Sequence, residues 1–164
     1  MGKNLQRERI FMDMVNEHRQ LIYKVCYMYS TDASYLKDLY QEILINIWNG
    51  LDSFRSESKV STWIYRVAIN TCVAFIRKHS KEQHAASVDE IADVTFADDG
   101  SRMANLREMY RLINGLGKID KAIVLLWLDE HSYDEIAEIV GLSKANVASR
   151  LYRAKQKLVD DSNR

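Results

Sequence analysis

Proline is absent from the 164 residues, and glycine occurs only six times. Average usage would place about 5% proline and 7% glycine in such a chain. Scarcity of both backbone punctuators argues against a loop-rich fold and favours an almost wholly helical one. Cysteine occurs twice, as Cys26 and Cys72, far apart and each within an apolar helical pattern. That excludes a disulfide-stapled scaffold and reads as two reduced core residues of a cytoplasmic protein. Long apolar runs are missing too. The longest, Ala122 to Leu128, is too short to span a membrane, and Met1 to Arg9 is polar with no signal-peptide core. No Gly-rich phosphate loop, HExxH or nucleophile motif occurs, which argues against an enzyme. His18, His79, His84 and His131 have no metal-ligand spacing among themselves or with the cysteines, so neither metal nor cofactor is expected. His18 lies on an apolar face and reads as a core histidine.

Net charge is also missing: 23 basic and 23 acidic residues cancel. The balance is uneven along the chain, however. Residues 1–81 hold 12 basic and 8 acidic residues, residues 82–100 hold six acidic and no basic ones, and residues 101–164 hold 11 and 9. An acidic segment thus separates two mildly basic blocks. It contains Ser87, Val88, Asp89 and Glu90, a candidate cap for one short turn, and reads as an inter-domain linker. As a flexible coil it would span roughly 24 Å r.m.s..

What is present is most specific from Ser132 to Leu158. Ser132 followed by Glu135 makes a capping box. Ile136, Ala137, Ile139 and Val140 give a short helix one apolar face, and Gly141 supplies the left-handed residue that ends it. Ser143 caps a second, longer helix. At 100° per residue, Val147, Leu151, Ala154 and Leu158 fall on one stripe, which must pack inward. The opposite face carries Asn146, Ser149, Tyr152, Arg153 and Gln156, with Lys144 and Lys155 along one edge and Arg150 and Lys157 along the other. Five basic and no acidic residues lie between Ser143 and Leu158. A helix that is apolar behind, hydrogen-bonding in front and basic at its edges suits a DNA major groove. The short preceding helix would brace it, as in helix-turn-helix proteins.

Upstream, apolar residues recur at helical spacing from about Glu8 to Ser30, which predicts one continuous helix. Asp32 can cap the next helix, which runs to about Gly50 with Leu36, Leu39, Tyr40, Ile43, Leu44 and Ile47 as its core stripe. Its opposite face carries Asp38, Gln41, Glu42, Ile45 and Asn49. An apolar residue rimmed by carboxylates and amides fits a docking surface for a basic partner, and equally a stray exposed isoleucine. Residues 51–60 form a charged loop. A third helix begins at Ser61 or Thr62 and reaches about His79, burying Ile64, Ala68, Cys72, Phe75 and Ile76. Its other stripe is Trp63, Asn70, Ala74 and Arg77, with Arg66 beside it. Aromatic, amide and guanidinium groups in a row suit single-stranded nucleic acid, although on pattern alone a packed tryptophan with solvated arginines is favoured. A second helical block follows the linker. Leu106, Met109, Tyr110, Ile113 and Leu116 line one helix, Gly115 and Gly117 break it, and Asp120 opens the next.

Two blocks together resemble one family. DLYQE (38–42), FRSES (54–58) and TWIYRVAIN (62–70) are similar to region two, and SYDEIAEI (132–139) with SRLYRA (149–154) to region four, of extracytoplasmic-function (ECF) sigma factors in the sigma-70 family. The likeness covers nearly the whole chain except the linker. It implies an all-α protein of two small helical domains, residues 1–81 and 101–164, joined by the acidic linker 82–100. It further implies a transcription initiation factor whose Asp38, Gln41, Glu42, Ile45 and Asn49 dock on the clamp helices of the RNA polymerase largest subunit. Phe54, Arg55, Ser58, Lys59, Ser61, Trp63, Arg66, Asn70 and Arg77 would hold unpaired bases of the promoter's minus-ten element. Lys144, Asn146, Ser149, Arg150, Tyr152, Arg153, Lys155, Gln156 and Lys157 would bind the minus-thirty-five element. The polymerase flap is the implied partner of region four, and an anti-sigma factor is a further partner the resemblance allows. The linker would thread the polymerase channel, its carboxylates mimicking nucleic acid. The chain departs from the family pattern at Ala148, where many relatives carry Arg or Lys, and at Ala74, where an acidic or amide residue is common. The competing reading is a conventional helix-turn-helix regulator that binds duplex DNA as a dimer. It would need a dimer interface, and no heptad seam is present.

Overall fold

The computed structural model describes residues 1–30, 32–79 and 100–164, the side chains of 100–104 and 106 aside. The expected linker, with its short turn and channel-threading role, lies mostly outside the described residues. The chain is all-helical, with no strand among the described residues. The helices are α1 (Gly2–Glu17), α2 (Arg19–Tyr29), α3 (Ala33–Gly50), α4 (Val60–His79), α5 (Gly100–Asn114), α6 (Lys118–Leu128), α7 (Tyr133–Val140) and α8 (Lys144–Ser162), with a 3-10 turn at Leu51–Ser53. None of them is long and apolar enough to cross a membrane.

Helices α2, α3 and α4 pack around Ile22, Val25, Leu39, Ile43, Ile47, Ile64 and Ala68, all fully buried. Asp32 caps α3 as expected, accepting from the Tyr35 amide at 2.7 Å. Cys26 and Cys72 are buried free thiols, and burial pushes the Cys26 thiol up to about 12, well out of reactive range.

The first helix departs from expectation. It begins at Gly2 and does not run unbroken to Ser30, because His18 leaves helical geometry at φ −114° and ψ 18°. The ring Nδ1 of His18 lies 2.8 Å from the Met14 carbonyl, the same oxygen that its own amide approaches at 3.2 Å. A side chain inserted into the helical ladder bends it. The bend lets α1 follow α3 while α2 enters the core. Arg7 donates to the Trp48 carbonyl at 2.8 Å and stacks 4.3 Å above its ring, and Phe11 meets the same ring edge-on. His18 is therefore half-buried rather than a core residue.

In the second group, α5 to α8 enclose Ile113, Ala122, Ile123, Leu126, Ile136, Val147 and Leu151. Gly115 and Gly117 end α5 as expected. Helix α6 opens at Lys118, two residues before Asp120, and its N-cap Gly117 offers no side-chain bond. Asp120 sits in the first turn, where a carboxylate meets the positive end of the helix dipole. Helix α4 likewise begins at Val60 rather than Ser61 or Thr62.

The helix-turn-helix forms as its caps dictate. The Glu135 amide donates to Ser132 Oγ at 3.1 Å and the Ser132 amide to Glu135 Oε1 at 3.3 Å, closing the capping box. Gly141 takes φ 74°, and Ser143 Oγ accepts from the Asn146 amide at 3.1 Å. The bonds from Ser132 hold the Glu135 carboxyl below its ordinary range. Ser132→Ala is expected to lower stability by about 1 kcal/mol, read as a lower urea midpoint at neutral pH. The difference should shrink as the pH falls through the lowered Glu135 pKa, because a protonated carboxyl no longer answers the cap.

The two groups touch. Tyr27 meets Tyr110 edge-on at 4.3 Å, Tyr29 Oη donates to the Lys118 carbonyl at 2.6 Å, and α4 lies against α7.

Candidate polymerase-docking and nucleic-acid surfaces

The outer face of α3 has the composition of a docking patch. Ile45 is 51% exposed, and Asp38, Gln41, Glu42 and Asn49 around it are exposed as well. The buried Leu39, Ile43 and Ile47 occupy the other side of the helix, so this face is free of any structural duty to the core. Neither Asp38 nor Glu42 forms an ion pair among the described residues.

The second surface joins the loop after α3 to the start of α4. Trp63 is half-buried. Its ring tilts against Phe54 at 5.2 Å between centroids and lies over Gly50, where an added Cβ would come within 3.2 Å of it. Gly50 is thus a positioning residue that sequence reasoning passed over, since a glycine at a helix end reads only as a terminator. In the loop, Ser56 takes φ 58°, a left-handed conformation uncommon for a residue with a Cβ. Arg55 and Lys59 are exposed, and Ser58 and Ser61 half-buried. Asn70 and Arg77 continue the exposed line along α4. Arg66 is different. Its guanidinium donates to both the carboxylate and the carbonyl of Glu138 on α7, each at 3.2 Å.

The third surface is α8. Val147, Leu151 and Ala154 are buried, and Leu158 is half-buried behind them. Asn146, Ser149, Tyr152, Arg153 and Gln156 face outward, Tyr152 being 67% exposed. The basic edges are tied inward more than the sequence suggests. Arg150 pairs with Asp120 at 3.0 Å, and Lys157 donates to the Gly115 carbonyl at 2.6 Å. Lys155 sits 4.0 Å over the Trp127 ring, and Lys144 reaches Asp134 at 3.3 Å. Asp120, Trp127 and Asp134 have no sequence signal for this role, because only packing brings them to α8. Of the five basic residues of this helix, Arg153 is the one for which neither an ion pair, a hydrogen bond nor a ring contact is formed among the described residues.

A further cluster, missed by sequence reasoning, lies where the two groups meet. Tyr65, 1% exposed, donates its hydroxyl to Asp129 Oδ2, and Lys24 Nζ approaches Asp129 Oδ1 at 2.9 Å. Lys24 lies 5.8 Å from the Tyr65 ring centroid and His131 packs edge-on to that ring at 5.1 Å. Burial alone would raise the Asp129 carboxyl, but the bonds from Tyr65 and Lys24 outweigh it and hold the group below the usual range. The same burial, with the carboxylate alongside, pushes the Tyr65 phenol up.

These surfaces lie on segments that match known families. Residues 14–82 match Sigma-70 region 2, and residues 106–158 match Sigma-70, region 4. The ECF RNA polymerase sigma factor SigW of Bacillus subtilis is 28% identical, over 90% of this chain and 86% of its own length. The ECF RNA polymerase sigma-E factor of Escherichia coli K12 is 33% identical, over 73% of this chain and 69% of its own. Among solved structures, the sigma factor RpoE in complex with the anti-sigma factor NepR from Bartonella quintana superposes with a TM-score of 0.72 at 21% identity, covering 93% of this chain and 96% of that one. CnrH in complex with the cytosolic domain of CnrY gives 0.67 at 20%, covering 95% and 89%. These two likenesses show the fold. With both sigma regions matched in order and the curated relatives alike over most of their length, the chain belongs to the sigma-70 family as an ECF RNA polymerase sigma factor.

Proposed function

We propose that this sigma factor divides its work between two units, residues 1–81 and 101–164, joined by the acidic segment 82–100, and that it acts in the cytoplasm. The outer face of α3 docks on the clamp helices of the polymerase largest subunit, and the second unit meets the flap. Helix α8 enters the major groove of the minus-thirty-five element. Asn146, Ser149, Tyr152, Arg153 and Gln156 face base edges, and Lys144, whose pair with Asp134 is solvent-exposed on both sides and readily exchanged, reaches phosphate. Arg150, Lys155 and Lys157 hold α8 on its support and add to its positive field. The loop from Phe54 to Ser61, with Trp63, Arg66, Asn70 and Arg77, traps unpaired bases of the minus-ten element. Only the melted promoter offers those bases, so binding them draws the duplex open. RNA synthesis itself belongs to the polymerase. An anti-sigma factor is a further partner, and one of the solved neighbours is itself a complex with an anti-sigma factor.

The observation that carries this reading is the division of α8 into a buried stripe, an exposed hydrogen-bonding front and inward-braced basic edges. It is tested on a panel of upstream promoter variants. Arg153→Ala should cost about 1–3 kcal/mol on the preferred sequence and relax preference there. Lys144→Ala should weaken binding evenly across the panel and lower the salt slope by about one unit. Lys155→Ala is a poorer probe, because it also strips the cation from the Trp127 ring. Indistinguishable profiles for Arg153→Ala and Lys144→Ala would refute the division into reading front and phosphate-binding edge.

A further inference from the structure

Helix α3 has no local stop signal. The residue after it, Leu51, stays right-handed at φ −59°, and the last turn of the helix holds no basic side chain. Helices commonly end on a left-handed glycine or on a cation that meets the last carbonyls. Here the cation comes from another helix, 41 positions away in the chain: Arg7 of α1 donates from Nη2 to the Trp48 carbonyl at 2.8 Å. The Leu51 amide bonds the same oxygen. We propose that Arg7 is a positioning residue for the minus-ten surface, which ends α3 from outside and so fixes the floor on which Trp63 and Phe54 stand. This role rests on the promoter assignment above.

The guanidinium is held for what lies around it. It stacks 4.3 Å above the Trp48 ring, and the same Nη2 stands 3.5 Å from Asp52 Oδ2 in the 3-10 turn that follows α3. The Asp52 side chain is 78% exposed, so that ion pair alone holds little. Arg7 Nε is buried with no hydrogen-bond partner among the described residues. An unsatisfied buried donor is a cost, so hydration of the guanidinium does not account for its placement. What the placement gains is the carbonyl, the indole face and the turn together.

The floor lies two residues beyond Trp48. Gly50 closes α3 beneath the Trp63 indole, where an added Cβ would come within 3.2 Å of the ring. Ser53 Oγ donates to the Gly50 carbonyl at 2.7 Å, which ties the 3-10 turn to the same residue. Phe54, next in the chain, tilts against Trp63 at 5.2 Å. Such close seating leaves no slack. A last turn that frayed or ran on by one residue would carry Gly50 away from the indole and let the ring turn. Arg7 therefore acts through Gly50 and the 3-10 turn and needs no contact with DNA. Nor is it needed merely to staple α1 to α3. Phe11 on α1 already packs edge-on to Trp48 at 5.3 Å, but a phenyl ring offers the carbonyl no cap.

The test separates the cap from the staple, using the full chain with core polymerase. Arg7→Met keeps an apolar stem for the Trp48 ring and removes every donor. Phe11→Leu weakens the ring contact and leaves the cap. Permanganate footprinting reads opening on duplex templates and on templates with a pre-melted minus-ten bubble. Co-purification reads polymerase binding, and circular dichroism reads helicity and melting temperature. Arg7→Met should bind polymerase as the parent does, lose about tenfold in open-complex formation on the duplex, and lose much less on the bubble. Phe11→Leu should open the duplex normally, even where its melting temperature falls as far. On a Trp63→Ala background Arg7→Met should cause little further loss, because two changes that act through one group do not add. Parent-like opening by Arg7→Met, equal opening defects in Arg7→Met and Phe11→Leu, or a full further tenfold loss on the Trp63→Ala background would overturn the positioning role. Asn70→Ala, measured in parallel, tests the surface itself: parent-like opening there would overturn the minus-ten assignment instead.

Discussion

Glu42→Lys and Ile45→Asp should each abolish co-purification with core RNA polymerase while leaving the far-ultraviolet circular dichroism of the protein unchanged. Both side chains point away from the core that Leu39, Ile43 and Ile47 build, and Ile45 is 51% exposed. Loss of fold is therefore not the expected cost. A charge inserted at the apolar centre of the patch, or reversed at its rim, strikes where interface energy concentrates. Such central positions cost about 2–4 kcal/mol or more on truncation, and an inserted charge is worse than truncation. At about 1.4 kcal/mol per tenfold, that is a loss of at least 30-fold in affinity. Gln20→Ala, an exposed change on α2 outside the patch, serves as the control and should bind normally. Normal polymerase binding by both α3 variants would place the docking surface elsewhere.

The second large effect concerns melting. Asn70→Ala should leave polymerase binding intact and impair open-complex formation on duplex promoters far more than on templates with a pre-melted minus-ten bubble. If the surface traps unpaired bases, its loss raises the free energy of the open complex and leaves the closed complex nearly unchanged. Stacking on an aromatic is worth about 1–3 kcal/mol per base, so Trp63→Ala should show the same pattern more strongly. Trp63 is half-buried against Phe54 and Gly50, however, so its removal also disturbs the loop. Asn70 is exposed and forms no hydrogen bond among the described residues, which makes it the cleaner probe. Permanganate footprinting on duplex and bubble templates reads the difference. Parent-like opening of the duplex by Asn70→Ala would mean that this stripe is merely solvated helix.

Much of this molecule was legible before any coordinates, and the legible parts share one physical property. They depend on interactions within about four residues. The capping box of Ser132 and Glu135, the left-handed Gly141, the caps at Asp32 and Ser143, and the buried stripes of α3, α4 and α8 all follow from helical periodicity and local hydrogen-bonding groups. The faces opposite those stripes follow from the same periodicity, which is how Asp38, Glu42, Ile45, Asn70 and Arg153 could be placed on the surface from their numbers alone.

The partner of each long side chain and the bend of each helix come instead from contacts between segments distant in the chain. His18 breaks the first helix because α1 must follow Trp48 while α2 enters the core, a demand set by elements 30 or more residues away. Arg150, Lys155 and Lys157 sit on a helix whose composition spells DNA, yet each is held by a group brought in by another segment: Asp120, Trp127 and the Gly115 carbonyl. Arg66 faces Glu138, 72 positions along the chain, and Tyr65 faces Asp129. A charged side chain carries no periodic signature of its partner, because ion pairing is a matter of distance in space. The helices, their caps and their two faces thus follow from local residue order. Only the packing of one helix on another determined which cations stay open to nucleic acid and which are already held.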